Sequence, residues 1–404
     1  MSSIYIHIPF CKQACHYCDF HFSTSMGKKE AMIQALIREL ALRKEEFQDE
    51  IVDCIYFGGG TPSVLETHEI EQLIEAVYAH YHVSDDPEIT LEANPDDLSE
   101  EKIEALHASP INRLSIGVQS FFEEDLKLMN RAHNATEAID SITLSRKRFQ
   151  NISLDLIYGI PEMSNARWIE NIEKALALGV PHISAYALTV EPKTALEKFI
   201  KKGIIPPVKD EVAQAHHTIL VERLEAEGYQ NYEFSNFGKP GYFSRNNTAY
   251  WEGKNYIGIG PGAHSYNGER RAWNISNNPK YIKAITQDQL PQDVEALTDT
   301  DQYNEYVMTR LRTQRGVSLK EVQTLFGEKM YNYLLQQAQS HIDNHLLFQE
   351  EDRMYVTKKG KFLSDGIAAD LFMLNLFQHP SDDTPQHPSD DTPQHPSDEN
   401  SKLS

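Results

Sequence analysis

Three cysteines, Cys11, Cys15 and Cys18, fall within IHIPFCKQACHYCDFHF, and only Cys54 lies elsewhere in the 404 residues. Thiolates at x3 and x2 spacing bring three soft ligands to one point on a short loop. Two chemistries fit. Zinc would need His16 or His21 as a fourth ligand, although structural zinc sites usually draw a second ligand pair from a second hairpin. A [4Fe–4S] cluster on three thiolates keeps one iron open for another molecule, which explains the missing fourth cysteine better. Cys54, inside a β-rich run, reads as a small buried hydrophobe.

Further polar residues recur where β-rich runs end. IYIHI (4–8), IVDCIYF (51–57), EITLE (88–92), RLSIGV (113–118), ISLDLI (152–157) and HISAYAL (182–188) alternate with amphipathic stretches such as KKEAMIQALIRELALRKEEF. Apolar residues in those stretches fall at three- and four-residue spacing. The alternation predicts an α/β fold with a parallel sheet and right-handed crossovers, a partial (β/α)6 barrel of TIM type. Gly58-Gly59-Gly60-Thr61-Pro62 follows the second run, where glycine lets a backbone approach a ligand closely. Glu92 ends the third run and Gln119 the fourth; Arg131 sits in MNRAH and Asp155 in LDLIYGIP. Barrel folds place their sites at the C-terminal ends of their strands.

Beyond about residue 200 the pattern changes. Residues 228–279, rich in Gly, Asn and Tyr, read as loops and irregular strands, and 298–372 as three helices and a β-hairpin resembling a winged helix. The expected organisation is a barrel over 1–197, an extension packing on it over 198–295, a winged-helix-like domain over 296–376, and a tail over 377–404. That tail repeats HPSDDTPQ, lacks a core-forming composition and is expected to be disordered. Hydrophobic content is 40% and no apolar run is long enough to span a membrane. Four cysteines and no signal-peptide layout suggest a reducing cytoplasm. Net charge is −22; the tail holds six acidic residues against Lys402, contributing −5 and leaving −17 for the rest. The winged-helix-like block itself carries nine basic and eleven acidic residues. Such charge disfavours nucleic acid as a partner.

The C-x3-C-x2-C loop after a first strand, with Tyr17 before the last cysteine, resembles the radical S-adenosylmethionine (SAM) superfamily. The resemblance implies a [4Fe–4S] cluster on Cys11, Cys15 and Cys18 whose open iron chelates SAM. It also implies SAM contacts from Tyr5, Tyr17, Gly59, Gly60, Thr61, Glu92, Gln119, Arg131 and Asp155, as in the coproporphyrinogen dehydrogenase-like branch. No catalytic residue is singled out. Were SAM cleaved, an external one-electron donor such as flavodoxin would be required.

Within that branch, the sequence is similar both to oxygen-independent coproporphyrinogen III oxidases and to HemW-type haem chaperones. The oxidases carry a further cysteine two places after the third, where this chain has Phe20, and an extension before the first strand, which this sequence opens three residues ahead of. Both features favour the haem-chaperone type, with haem as cargo for an unidentified acceptor; the alternative is a radical enzyme acting on a porphyrinogen. The chaperones' H-N-x-x-Y-W motif is matched here by Asn246-Asn247-Thr248-Ala249-Tyr250-Trp251. Asn247, Tyr250 and Trp251 are kept as haem contacts, but Asn246 replaces the histidine, and an amide is a poor ligand for haem iron. His264 in IGIGPGAHSY is a possible substitute.

Overall fold

Residues 2–374 are described by a computed structural model. Six parallel strands run in sequence order: β1 Ser2–Ile8, β2 Val52–Gly59, β3 Val83–Ala93, β4 Arg113–Gln119, β5 Asn151–Tyr158 and β6 His182–Ala187. Each is followed by helical crossover segments, including Lys29–Leu42, Thr67–His80, Glu100–Ala108, Ala135–Ser145 and Asn165–Ala177. Helix starts are set locally: Ser99 and Ser164 accept from the backbone three residues on, and Asn134 with Glu137 forms a capping box. This is the α/β partial barrel that the strand–helix alternation predicts.

Period-two alternation separates the two faces of the sheet. Ile4, Ile6, Ile55, Phe57, Ile89, Leu91, Leu114 and Ile116 are buried on the helix-covered side. Their neighbours face the interior, where the register places Tyr5 beside Tyr56, Tyr56 beside Thr90, Glu92 beside Ser115 and Asp155 beside Ser184. A barrel interior is normally packed with branched apolar residues. Here it is polar, which suits a ligand better than a core.

The region read as loops and irregular strands instead widens this sheet to twelve strands. Strands β7 Gln230–Glu233 and β8 Asn236–Gly238 extend it beyond β6, while β9 Tyr256–Ile259, β10 His264–Tyr266, β11 Arg270–Asn274 and β12 Gln292–Ala296 extend it beyond β1. His264 therefore opens a strand rather than sitting in a loop. β9 pairs parallel with β1, and β8 antiparallel with β6. Helix Lys29–Leu42 is tied to this extension by a buried ion pair. Glu39 accepts from Asn274 Nδ2 (2.7 Å), Gly260 N–H (2.8 Å), the Tyr281 hydroxyl and Arg43 Nη1 (3.3 Å), and Arg43 also reaches Gly258 O (2.8 Å) and Ser265 Oγ (3.1 Å).

The C-terminal block has a hydrophobic cluster of its own that includes Tyr303, Val307, Val322, Leu334, Leu347 and Met354. Helix Asp299–Leu311 is followed by β13 Val317–Ser318, a helical run Leu319–Asp343 broken at Gly327, the hairpin of β14 Leu347–Glu350 and β15 Arg353–Val356, and helix Ser364–Asp370. Gly327 adopts φ 80°, ψ 174°, a backbone state favouring glycine, and this separates the two helices read in the sequence. The HPSDDTPQ tail lies outside the described residues. Among the described residues, no helix is long and apolar enough to cross a membrane.

Candidate cluster and cofactor site

The cysteine loop leaves the C-terminal end of β1 and is pinned by three other parts of the chain. Cys11 N–H donates to Ser23 O (3.1 Å) and Ser23 N–H to Pro9 O (3.0 Å), closing the loop at its base. The segment after β4 holds its middle: His16 N–H donates to Met129 O (3.0 Å), Asn130 Nδ2 to Ala14 O (2.7 Å) and Gln13 Nε2 to Asn130 O (2.9 Å). Asn130 takes a left-handed conformation at the end of its helix, which asparagine tolerates. Leu196 N–H, beyond β6, donates to His16 O (2.8 Å).

Two donors meet the sulfurs. Thr61 Oγ1 donates to Cys11 Sγ and Arg131 Nη1 to Cys15 Sγ, each at 3.3 Å. Arg131 is itself aimed by Nη2 bonds to Asn94 Oδ1 (2.6 Å) and Gly117 O (2.9 Å), and its buried Nε has no partner. Burial, and the neighbouring Cys15 and Cys11 thiolates, push the Cys18 thiol up to about 12. A cluster of thiolates on one loop needs compensating positive charge, as the iron of an iron–sulfur cluster provides. Among the described residues no three His, Cys, Asp or Glu side chains are grouped to hold a single metal ion. His16 Nδ1 is engaged with Leu128 O (2.8 Å) and His21 Nε2 with Asn278 Oδ1 (2.7 Å). The donor set fits a multi-iron cluster, with sulfur ligands at its corners, better than zinc.

The glycines at 59 and 60 answer first to the chain itself. A Cβ on Gly59, at φ 103°, would lie 2.3 Å from His7 Nδ1, and one on Gly60 would lie 2.6 Å from Phe10 O. Gly60 N–H and Thr61 N–H donate to Ile8 O (2.9 Å) and Phe10 O (2.7 Å), fastening the glycine turn to the start of the cysteine loop. The glycines thus bring β2's end against β1, and with it Thr61 against Cys11.

Below the loop, Tyr5 stacks on Tyr56 with centroids 6.0 Å apart, and Tyr56 OH donates to Glu92 Oε1 (2.8 Å). Burial raises Glu92 to about 7 against the opposing Tyr56 bond, with Asp155 adding to the rise. Asp155, held by Ser115 (3.3 Å) and Ser153 (3.5 Å), is raised to about 6, chiefly by burial. Gln119 ends β4 at φ 67°, a strained state for a non-glycine residue of the kind that collects at ligand sites. Tyr17 packs against the hydrophobic core beside Arg131, and burial raises its pKa. Cys54 is 2% exposed in β2, away from this set. Sequence reading passed over Tyr56, His7, Asn94 and the buried Arg113. The signal for Tyr56 and His7 was their two-residue offset from Gly58 and Tyr5, which places them on the inward face.

Glu92 carries a pH-dependent cost. Its folded pKa lies above the usual 4.5, so the folded state binds the extra proton, and stability falls as pH rises from about 4.5 to about 7. Cluster-free Glu92→Gln protein is therefore expected to melt above the unaltered protein at pH 8, with the difference shrinking at pH 5. A difference that is constant with pH would contradict the assignment.

Asn247, Tyr250 and Trp251 do not join the cluster site. They lie on helix Arg245–Trp251, which immediately precedes β9 and so sits at the N-terminal foot of the barrel, a strand's length from the cysteines. Seven residues of β1 span about 20 Å. Glu88, on the inward face of β3, fixes this helix by accepting from Arg245 N–H (3.1 Å), Asn246 N–H (3.2 Å) and Ser244 Oγ (3.4 Å). Tyr250 is 49% exposed, and the ring of Trp251 meets the Arg312 guanidinium at 5.1 Å. His264 is at the opposite end, beside His7 and stacked near Trp273 (6.2 Å), so it cannot replace Asn246 as a partner of Trp251.

The family model of the radical SAM superfamily matches residues 5–175, and that of the HemN C-terminal domain matches 297–363. The chain is 35% identical over 374 residues to heme chaperone HemW of Bacillus subtilis (strain 168), covering 91% of this chain and 98% of that protein. It is 36% identical over 324 residues to heme chaperone HemW of Escherichia coli (strain K12), covering 77% and 82%. The solved structure of coproporphyrinogen III oxidase (HemN) from Escherichia coli, a radical SAM enzyme, superposes with a TM-score of 0.79 at 24% identity, over 92% of this chain and 90% of that one. That likeness concerns the fold. The chain belongs to the radical SAM superfamily and, within it, to the HemW family.

Proposed function

We propose that this protein is a haem chaperone that binds a [4Fe–4S] cluster and SAM at the top of its barrel, and carries haem at the foot for delivery to an acceptor protein. Cys11, Cys15 and Cys18 would hold the cluster, which when bound supplies the electron that cleaves SAM. Thr61 donates to Cys11 sulfur and Arg131 to Cys15 sulfur, so both would stay engaged with the ligands when the cluster is bound. Glu92 and Asp155, with Tyr5 and Gln119, offer acceptors and an aromatic face to the amino and hydroxyl groups of SAM. A cationic amino group beside Glu92 would draw that carboxylate back to its ionised form. Any electron would come from outside, from a donor such as flavodoxin.

The separation of the two sites carries the choice of chaperone over porphyrinogen enzyme. Hydrogen abstraction needs substrate in van der Waals contact with the radical, and cargo on Tyr250 and Trp251 stands about 20 Å away along β1. An exposed foot suits release to a partner. Anaerobic haem titration followed at the Soret band tests this, with Asn246→His alongside. Asn246 lies in the first turn of the helix with its N–H on Glu88, and a histidine there is expected to raise haem affinity at least about tenfold by adding an iron ligand. Haem binding by neither protein, or anaerobic production of decarboxylated porphyrinogen, would overturn the reading in favour of the enzyme.

A further inference from the structure

Trp251 shares its cation with a cavity. The Arg312 guanidinium lies 5.1 Å from the Trp251 ring centroid and 5.0 Å from that of Phe234. Phe234 borders a cavity of about 220 Å³ between the β7 edge of the large sheet and the β14–β15 hairpin, whose walls include Phe348, Tyr355, Asn231 and Lys361. The C-terminal block is fastened to that edge by Gln314 N–H donating to Tyr232 O (3.0 Å).

Two cations face this space. Arg312 has a side chain only 15% exposed and a buried Nε with no partner, while its Nη1 pairs with Asp365. Lys361 Nζ donates to Asn231 Oδ1 (2.6 Å), and no carboxylate pairs with it among the described residues. Burial lowers its pKa against the opposing Glu225 carboxylate, so an anion beside it would favour its charged form. Phe348 and Tyr355 stack at 5.2 Å on the hairpin wall. In a protein this acidic, aromatic walls and two converging cations select an unsaturated group ending in a carboxylate. A cavity of about 150 Å³ already holds a benzene ring, so this one has room for a ring edge and a short acidic arm.

We propose that the cavity receives a propionate arm of the tetrapyrrole carried at the foot, with Lys361 and Arg312 pairing its oxygens and the macrocycle extending toward Trp251. The inference rests on the haem-chaperone reading. Its test uses the full chain, titrated anaerobically with haem and, separately, with haem whose two propionates are methyl esters. Lys361→Met, which keeps length and removes charge, is expected to bind haem about tenfold more weakly, and Lys361→Arg to bind it about as well as the unaltered chain. The unaltered chain is expected to bind the ester about tenfold more weakly than haem, with Lys361→Met adding no further loss for the ester. The ester comparison needs no variant to fold. Equal affinity for haem and ester, or haem binding by Lys361→Met within about twofold of the unaltered chain, would overturn the propionate site and leave the chaperone reading standing. Binding of neither compound by the unaltered chain would overturn both.

Discussion

Cys15→Ala protein, reconstituted anaerobically, is expected to lose the iron–sulfur absorbance near about 410 nm and most of its roughly four irons. The expectation follows from three ligands with no spare. Cys54 cannot substitute, being 2% exposed within β2. Losing Cys15 also strips the Arg131 Nη1 of its sulfur acceptor while Nη2 stays on Asn94 and Gly117. Cys54→Ala, by contrast, should keep the full cluster and cost only about 1 kcal/mol for the small cavity it leaves. Full iron and sulfide in Cys15→Ala would refute the three-cysteine assignment.

Glu39→Ala is expected to lower stability by about 3–5 kcal/mol, read by denaturant unfolding at neutral pH. Glu39 is wholly buried and accepts from four donors on the extension and its own helix. Removing it leaves the guanidinium of Arg43, 2% exposed, with only the half-exposed Glu46 as counter-charge, and orphans the Gly260 N–H and the Tyr281 hydroxyl, while Asn274 Nδ2 keeps Gly260 O. Burial raises the Glu39 pKa and these partners oppose the rise, so a neutral Glu39→Gln is expected to lose less than the alanine. A loss below about 1 kcal/mol for Glu39→Ala would show that the network relaxes around the gap.

The parallel core was legible because each strand is a β-rich run followed by a helical period, and because Glu92 and Gln119 recur at strand ends. The widening of the sheet was not. β8 and β10 span only three residues each, too short for a period to register, and β9 is Tyr-Ile-Gly-Ile with no polar alternation. Glu39 in ALIRELALR looks like an ordinary solvent-facing helix residue until Asn274 and Tyr281, far along the chain, are folded against it. The Asn246–Trp251 frame was legible as a motif, but its place was not. Pairing of β9 with β1 reveals that the helix before β9 lies at the foot, and Glu88, Asp86 and Arg310, all distant in sequence, hold it there.

That pairing also bears on the order in which the protein is assembled. Cotranslational folding proceeds from the first residues made, and long-range strand pairing is its slow part. β1, which launches the cysteines, is synthesised well before one of its two neighbours, Tyr256–Ile259. Until that stretch leaves the ribosome, the strand under the cysteine loop has an open flank. The loop's other supports at Asn130 and Leu196 also come later in synthesis. A nascent chain therefore presents its thiols before it can frame them, and delivery of iron and sulfide belongs after synthesis has passed the extension.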